Sequence, residues 1–141
     1  MMEWSELNCS LTSVFLHLMH LPTVNHIDLS LITNFPLSSF TPCVNLHRLD
    51  ILHVYPYDPT REGSLLFVQS GMMPKLREFH IQSSDHMAKQ MLSAKGQDGR
   101  PAFNFKDLIG LTIHFKRDDR NIRYVLQNAK SLEKLHLNVE V

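Results

Sequence analysis

A short apolar pattern recurs five times in this chain and constrains its fold more than any other feature. Its clearest copy runs from Leu46 to Ile51, where the first, fourth and sixth residues of a hexamer are apolar. The three slots are occupied in turn by Val24, Ile27 and Leu29; Leu46, Leu49 and Ile51; Leu76, Phe79 and Ile81; Leu108, Leu111 and Ile113; and Leu132, Leu135 and Leu137. Because apolar residues that alternate in this way predict half-buried strands, each copy predicts one short strand.

The spacing is typical of leucine-rich repeats, in which each unit adds one strand to a stacked parallel sheet. We therefore predict an α/β leucine-rich-repeat solenoid fragment, with about five short parallel strands near residues 24–29, 46–54, 76–82, 108–115 and 132–138 that alternate with helices or irregular convex segments. Residues 1–22 would form a helix that caps the stack, and residues 23–141 a degenerate repeat domain that is truncated at its C-terminus. A doubly wound α/β sheet is the rival, but the chain lacks a glycine-rich phosphate turn after its first strand.

Four segments between the strands have helical signals. The first spans Ser10 to Leu21, with Asn8 or Ser10 as N-cap and an inward apolar face of Leu11, Val14, Phe15, Leu18 and Met19. A short helix is predicted over residues 62–70. Another begins after Ser84 or Asp85, with Met87, Met91 and Leu92 on one face, and the last begins after Asp118 or Asp119.

Composition excludes several classes of function. The formal net charge is zero, from 14 basic and 14 acidic residues, which argues against a nucleic-acid partner and against a membrane contact held by bulk charge. With only Cys9 and Cys43, and with an acidic N-terminus instead of a signal peptide, we expect reduced thiols in an intracellular, cytoplasmic or nuclear protein. No metal site, cofactor or nucleophile motif is predicted, because His80, His114 and His136 fall on different strands from Asp50 and from one another. We expect no enzyme.

Several phrases around the hexamers resemble the repeat region of fungal F-box and leucine-rich-repeat-like proteins, which are expanded in mushroom-forming fungi. These phrases begin at His20 (HLPTV), Asn34 (NFPLSS), Met72 (MMPKLREF), Pro101 (PAFNF) and Asn121 (NIRY), and the last hexamer begins at Leu132 (LEKLHL). The resemblance implies the substrate-recognition part of a ubiquitin-ligase receptor. The residues before Trp4 cannot encode the F-box itself, so no direct binding to a cullin adaptor is expected.

The chain departs from that family in two respects. Typical repeats carry an asparagine or cysteine three positions after the last apolar slot, whose side chain bonds to neighbouring turns. Here those positions hold Ile32, Val54, Ser84, Lys116 and Glu140, so this polar ladder is expected to be missing. The last strand is followed by no capping repeat, which predicts an open edge, marginal stability and a tendency to associate.

The residues between the apolar slots are predicted to share the concave face of the sheet, because side chains alternate along a strand. Stacking the strands places Arg48 beside Glu78 and Asp50 beside His80. We predict that this mixed-charge face binds a protein partner, with Arg48, Asp50, Glu78, His80 and His136 as contributors. The alternative is a solvated face whose charges pair locally and weakly.

The sequence is also compatible with two other hypotheses for the function. The chain could be a gene fragment without independent function. It could also be a small enzyme on a parallel α/β sheet, whose crevice would lie at the C-terminal ends of the strands, near Ser30, Val54, Ser83 and Phe115. The second reading lacks a visible acid/base pair or phosphate loop.

Overall fold

The fold was analysed in a computed structural model that describes residues 1–40, 42–57, 74–94, 103–116 and 120–140. Helices and strands alternate along most of this chain. The strands are β1 (Met2–Glu3), β2 (His26–Phe35), β3 (Arg48–Pro56), β4 (Glu78–Gln82), β5 (Gly110–Lys116) and β6 (Lys134–Glu140); the helices are α1 (Cys9–Met19), α2 (Asp85–Ser93) and α3 (Arg120–Asn128). Short 3₁₀ helices cover Trp4–Glu6 and Leu37–Phe40.

All six strands form one parallel sheet, in which each strand pairs with the next strand of the chain. The predicted α/β class and parallel sheet are therefore confirmed. This order contains no point at which the strand sequence reverses, whereas a doubly wound sheet requires one. The five predicted strands are all present, and each begins two residues after its first apolar slot because that slot still belongs to the preceding turn.

The three apolar slots form the core. The first-slot residues Leu46, Leu76 and Leu108 are fully buried beneath the starts of their strands, and the inner slots of β3, β4 and β5 are almost as inaccessible. Burial of a leucine, isoleucine or phenylalanine side chain contributes about 1.5–3 kcal/mol, so each hexamer of β3, β4 and β5 contributes several kcal/mol. The slots fix the face of every strand, because a slip of one residue would expose them all.

A repeated backbone hydrogen-bond pattern locks the start of each strand to the strand before it. The carbonyl of Asn25 accepts from the backbone N–H groups of both His47 and Arg48. The carbonyls of His47, Arg77 and Ile109 each accept two consecutive N–H groups from the following strand in the same way. This shared acceptor holds the same register across four strand pairs, and it satisfies donors that the turn would otherwise bury unpaired.

Three equivalent residues, in or just after neighbouring strands, adopt the left-handed region of backbone conformation. Leu31, His53 and Ser83 occupy equivalent positions in β2, β3 and β4 repeats and have φ of 58°, 51° and 46°. The residue that follows each of them, which is Ile32, Val54 or Ser84, is buried. The left-handed conformation costs about 1–2 kcal/mol at a residue with a β-carbon, so packing of the following residue must offset the cost.

The prediction that the polar ladder is missing was wrong at one rung. The fully buried hydroxyl of Ser84 accepts from the backbone N–H of Val54, 3.0 Å away on the neighbouring strand, and donates to the carbonyl of Gln82 at 2.9 Å. A serine side chain is short, but the backbone of Ser84 lies close enough to both groups for the hydroxyl to reach them. Ser84 is the N-cap residue of α2, as one of the two predicted positions, but its side chain makes no cap hydrogen bond to that helix.

Helix α1 forms as predicted but packs on a different face. Asn8 is its N-cap, because the side-chain carbonyl accepts from the backbone N–H of Leu11 at 2.8 Å. Only Met19 of the predicted inward residues is buried; the exposed fractions of Leu11, Val14, Phe15 and Leu18 lie between 39% and 54%. The helix is oriented by contacts at its C-terminal end, where the Cys43 thiol donates to the Met19 carbonyl and His20 donates to the Ser39 carbonyl. These anchors turn the apolar stripe outward.

Other sequence expectations have mixed outcomes. Helix α2 places Met87 and Met91 in the core, as predicted, and α3 buries Val125. The helix predicted over residues 62–70 and the caps at Asp118 and Asp119 lie outside the described residues. Strand β1 and both 3₁₀ helices were missed, because two to four residues give no periodic signal.

Candidate functional site

The side chains that alternate with the apolar slots form a second surface, here called the polar face. The strand register groups them into three columns, as the sequence predicts: His26, Arg48, Glu78, Gly110 and Lys134; Asp28, Asp50, His80, Thr112 and His136; and Ser30, Leu52, Gln82, His114 and Asn138. Neighbours in a column belong to hydrogen-bonded strands, so their side chains lie within reach of one another.

Asp50 is the centre of a charged cluster on this face. Its Oδ2 accepts from Nε2 of His26 at 2.5 Å and from Nε of Arg48 at 3.0 Å. The Nη1 of Arg48 in turn donates to Oε2 of Glu78 at 3.4 Å. The Nδ1 of His80 lies 2.8 Å from the other oxygen of Asp50. Three strands thus contribute to one connected network.

The surroundings of Asp50 stabilise its charged form. Burial by itself raises the pKa of this carboxyl group, but hydrogen bonds from Arg48 and His26 and the charge of His80 outweigh burial, so the pKa lies below its ordinary value. The same hydrogen bond raises the pKa of Arg48. Asp50 is the least exposed member, at 16% of its side chain, whereas Arg48 and Glu78 expose 41% and 46%. The Asp50 carboxylate is therefore held in place below Arg48 and Glu78, whose side chains are accessible to a partner.

One oxygen of the cluster is poorly satisfied. Oδ1 of Asp50 is inaccessible to solvent and receives no aligned hydrogen bond, although Nδ1 of His80 lies within ion-pair distance of it. The approach of His80 gives electrostatic attraction without the linear N–H···O geometry that a strong hydrogen bond needs.

The cluster borders an open depression of about 310 Å³ in the polar face. Its polar rim is contributed by β2 to β5 and consists of Asp28, Ser30, Arg48, Asp50, His80, Gln82, Thr112 and His114. Aliphatic atoms of Ile51, Leu52 and Ile81 contribute the floor. The shape is that of a shallow groove across the strands, and it is too polar and open to resemble an enclosed small-molecule pocket.

The predicted site residues are only partly brought together. Arg48, Asp50, Glu78 and His80 form the connected network, and the two predicted neighbour pairs are in contact. His136 lies two strands away, separated from His80 by Thr112, and is exposed on β6. Sequence reasoning missed His26, which reaches Asp50 diagonally across β2 and β3. The diagonal offset of two residues between neighbouring strands could have indicated this contact.

The structure also describes the positions considered for a metal site and for an enzyme crevice. No group of three or more His, Cys, Asp or Glu side chains in the described part of the chain is arranged to hold a metal ion. At the positions where an enzyme crevice was considered, Val54 is fully buried and its N–H is bonded to Ser84, while Ser30 belongs to the rim of the polar-face depression.

A second depression, of about 420 Å³, lies where the strands begin. Its charged lining combines both signs and consists of His47, Lys75, Arg77, Asp107 and Glu133. The backbone carbonyls at this edge are already engaged in the shared hydrogen bonds described above.

No helix among the described residues is long and apolar enough to cross a membrane. Comparison of the chain with protein-family models, with curated proteins and with solved structures gives no match.

Proposed function

We propose that this chain is a non-enzymatic leucine-rich-repeat module that binds a protein through its polar face. The observation that carries the proposal is the network around Asp50, in which side chains from three adjacent strands are fixed by one another while remaining partly accessible. A surface that is ordered before binding loses less side-chain entropy when a partner docks.

The chemistry of the face favours a macromolecular partner over a small ligand. Acidic and basic groups are interspersed across β2, β3 and β4, and a mixed-charge surface of this kind is complementary to one orientation of a partner surface. The open depression provides a broad contact, whereas small ligands are commonly held in enclosed and mostly apolar cavities. Each exposed ion pair contributes only about 0–1 kcal/mol to stability, so stability alone gives weak reason for such a network.

Two features support the proposal that the chain is a leucine-rich-repeat solenoid: the repeated hexamer and the sequential order of the strands in the sheet. By resemblance to the fungal F-box and leucine-rich-repeat-like proteins, the module would be the substrate-recognition part of a ubiquitin-ligase receptor in the cytoplasm or nucleus. Recruitment to a ligase would then depend on an F-box supplied outside these repeats. Under this proposal the polar face is the concave surface, and its ligand is a protein destined for ubiquitination.

The proposal is tested by reversing charges on the polar face. Arg48→Glu should place three carboxylates next to one another and reduce partner binding at least tenfold, since like charges at an interface are strongly unfavourable. Lys130→Glu is the matched control, because Lys130 is exposed and lies outside the three columns. Proteins captured by the wild type and by both variants would be compared by quantitative mass spectrometry, and candidates then measured with purified chains.

A true partner is retained by Lys130→Glu and lost with Arg48→Glu. Glu78→Arg should reduce its binding as well, because that change removes the acidic end of the network. Circular dichroism spectra that match the wild type would show that the variants fold. If every captured protein binds the wild type and the Arg48→Glu variant equally, the polar face is not the binding surface.

A further inference from the structure

The depression of about 420 Å³ where the strands begin, here called the start groove, separates its charged residues by sign. His47, Lys75 and Arg77 lie on the turns that lead into β3 and β4, whereas Asp107 and Glu133 lie on the turns that lead into β5 and β6. All five side chains are exposed. The start groove therefore has a basic half and an acidic half, and neither half belongs to the polar face.

The opposite charges of the start groove are neighbours but do not pair. Lys75 and Asp107 occupy equivalent positions of successive repeats, directly before the first apolar slot, and Arg77 follows that slot. On the polar face, the equivalent neighbours Arg48 and Glu78 form an ion pair. In the start groove, no charged lining side chain makes an ion pair or a side-chain hydrogen bond within the part of the chain that the structure describes. Their polar atoms are therefore available to a ligand.

Backbone hydrogen bonds hold the turns of the start groove in a fixed arrangement. The N–H of Arg77 donates to the carbonyl of His47, and the N–H of Ile109 donates to the carbonyl of Arg77. The first-slot leucines of these turns, Leu76 and Leu108, are fully buried. A site that is ordered before binding loses less entropy when a ligand docks. Ile109 is partly buried and supplies an apolar contact between the two charged halves.

From this separation of charge we propose that the start groove binds an extended peptide segment of mixed charge, with acidic side chains over the basic half and basic side chains over the acidic half. The turns into β4 and β6 are two strands apart, about 10 Å, a distance that an extended segment spans in about three residues. A segment of a single sign would be repelled by one of the two halves. The start groove is thus a second binding surface, separate from the polar face.

The experiment is an NMR titration of the purified 141-residue chain with three synthetic peptides of equal length. The first peptide has two glutamates separated by a short neutral spacer from two lysines, the second has glutamate at all four positions, and the third has lysine at all four. The mixed peptide should shift the amide signals of Arg77 and Ile109. It should bind at least tenfold more tightly than either single-sign peptide, because each of those places like charges over one half of the groove.

An exchange of two charges within the start groove is the decisive change. Lys75→Asp combined with Asp107→Lys keeps the net charge but leaves both signs in each half, so it should weaken binding of the mixed peptide at least tenfold. Both side chains are exposed, so the fold should tolerate the exchange. Glu6→Arg combined with Arg123→Glu is the matched control, because both residues are exposed and lie outside the groove. This control and Arg48→Glu should bind the mixed peptide as the wild type does.

Four outcomes would overturn the proposal. The first is that the three peptides bind the wild type equally, and the second is that the mixed peptide binds the Lys75→Asp, Asp107→Lys variant as tightly as the wild type. The third is that no amide signal of the start groove moves at millimolar peptide concentration. The fourth is loss of binding in Arg48→Glu, which would assign the mixed peptide to the polar face instead.

Discussion

Removal of the buried Ser84 hydroxyl should destabilise the chain, because this group links two neighbouring repeats. In Ser84→Ala, the backbone N–H of Val54 loses its acceptor in a fully buried position, and the carbonyl of Gln82 loses one donor. An unsatisfied buried backbone group costs about 1–3 kcal/mol, so we expect a loss of about 2–3 kcal/mol in the free energy of unfolding. For a chain of this length, that corresponds to a fall of about 6–9 °C in Tm.

Urea unfolding and calorimetry would measure the loss, and amide hydrogen exchange would locate it. Exchange at Val54 should accelerate more than at neighbouring core amides. Ser39→Ala is the matched control, because Ser39 is also buried but its hydroxyl makes no hydrogen bond within the described part of the chain. Ser84→Cys should lose less than Ser84→Ala, since a thiol is a weak acceptor. If Ser84→Ala is as stable as Ser39→Ala, the hydroxyl is not the structural link between the β3 and β4 repeats.

Three further predictions concern backbone strain, pH and thiol chemistry. Leu31→Asn should raise the free energy of unfolding by about 0.5–1 kcal/mol in urea titrations, because Leu31 has a φ of 58° and is exposed, and asparagine tolerates this conformation better. Asp50→Asn should lower stability at neutral pH by about 1–2 kcal/mol. Because the pKa of Asp50 is lowered on folding, its contribution is complete above the ordinary carboxyl pKa and is lost as pH falls through the lowered value; the two unfolding curves should therefore converge in acid. With a thiol reagent at pH 8, the native chain should expose one reactive group, Cys9, because burial raises the pKa of Cys43 to about 11; rapid reaction of both thiols would contradict the buried position.

Much of the candidate site could be predicted because parallel strands with a repeated apolar pattern have only one sensible register. Equivalent positions of neighbouring hexamers pair with each other. Arg48 must therefore lie beside Glu78, and Asp50 beside His80. The contact of His26 with Asp50 could not be chosen in the same way. The direct neighbour of His26 on β3 is Arg48. Only the side-chain torsions in the folded sheet decide that the His26 imidazole contacts the carboxylate of Asp50, which lies diagonally opposite.

The amino-acid sequence by itself determined the number and order of the main strands, the face that β3, β4 and β5 bury and the columns of the polar face. Those properties follow from a period of two residues and a repeated spacing, which are local. The structure alone decided the orientation of α1 and the role of Ser84, since both depend on contacts between residues far apart in the chain. Helix α1 has more apolar surface than its end of the sheet covers, and its anchors at Cys43 and Ser39 select the face that is buried. A hydroxyl becomes a rung between strands only where a left-handed turn at Ser83 brings its backbone close enough to Val54.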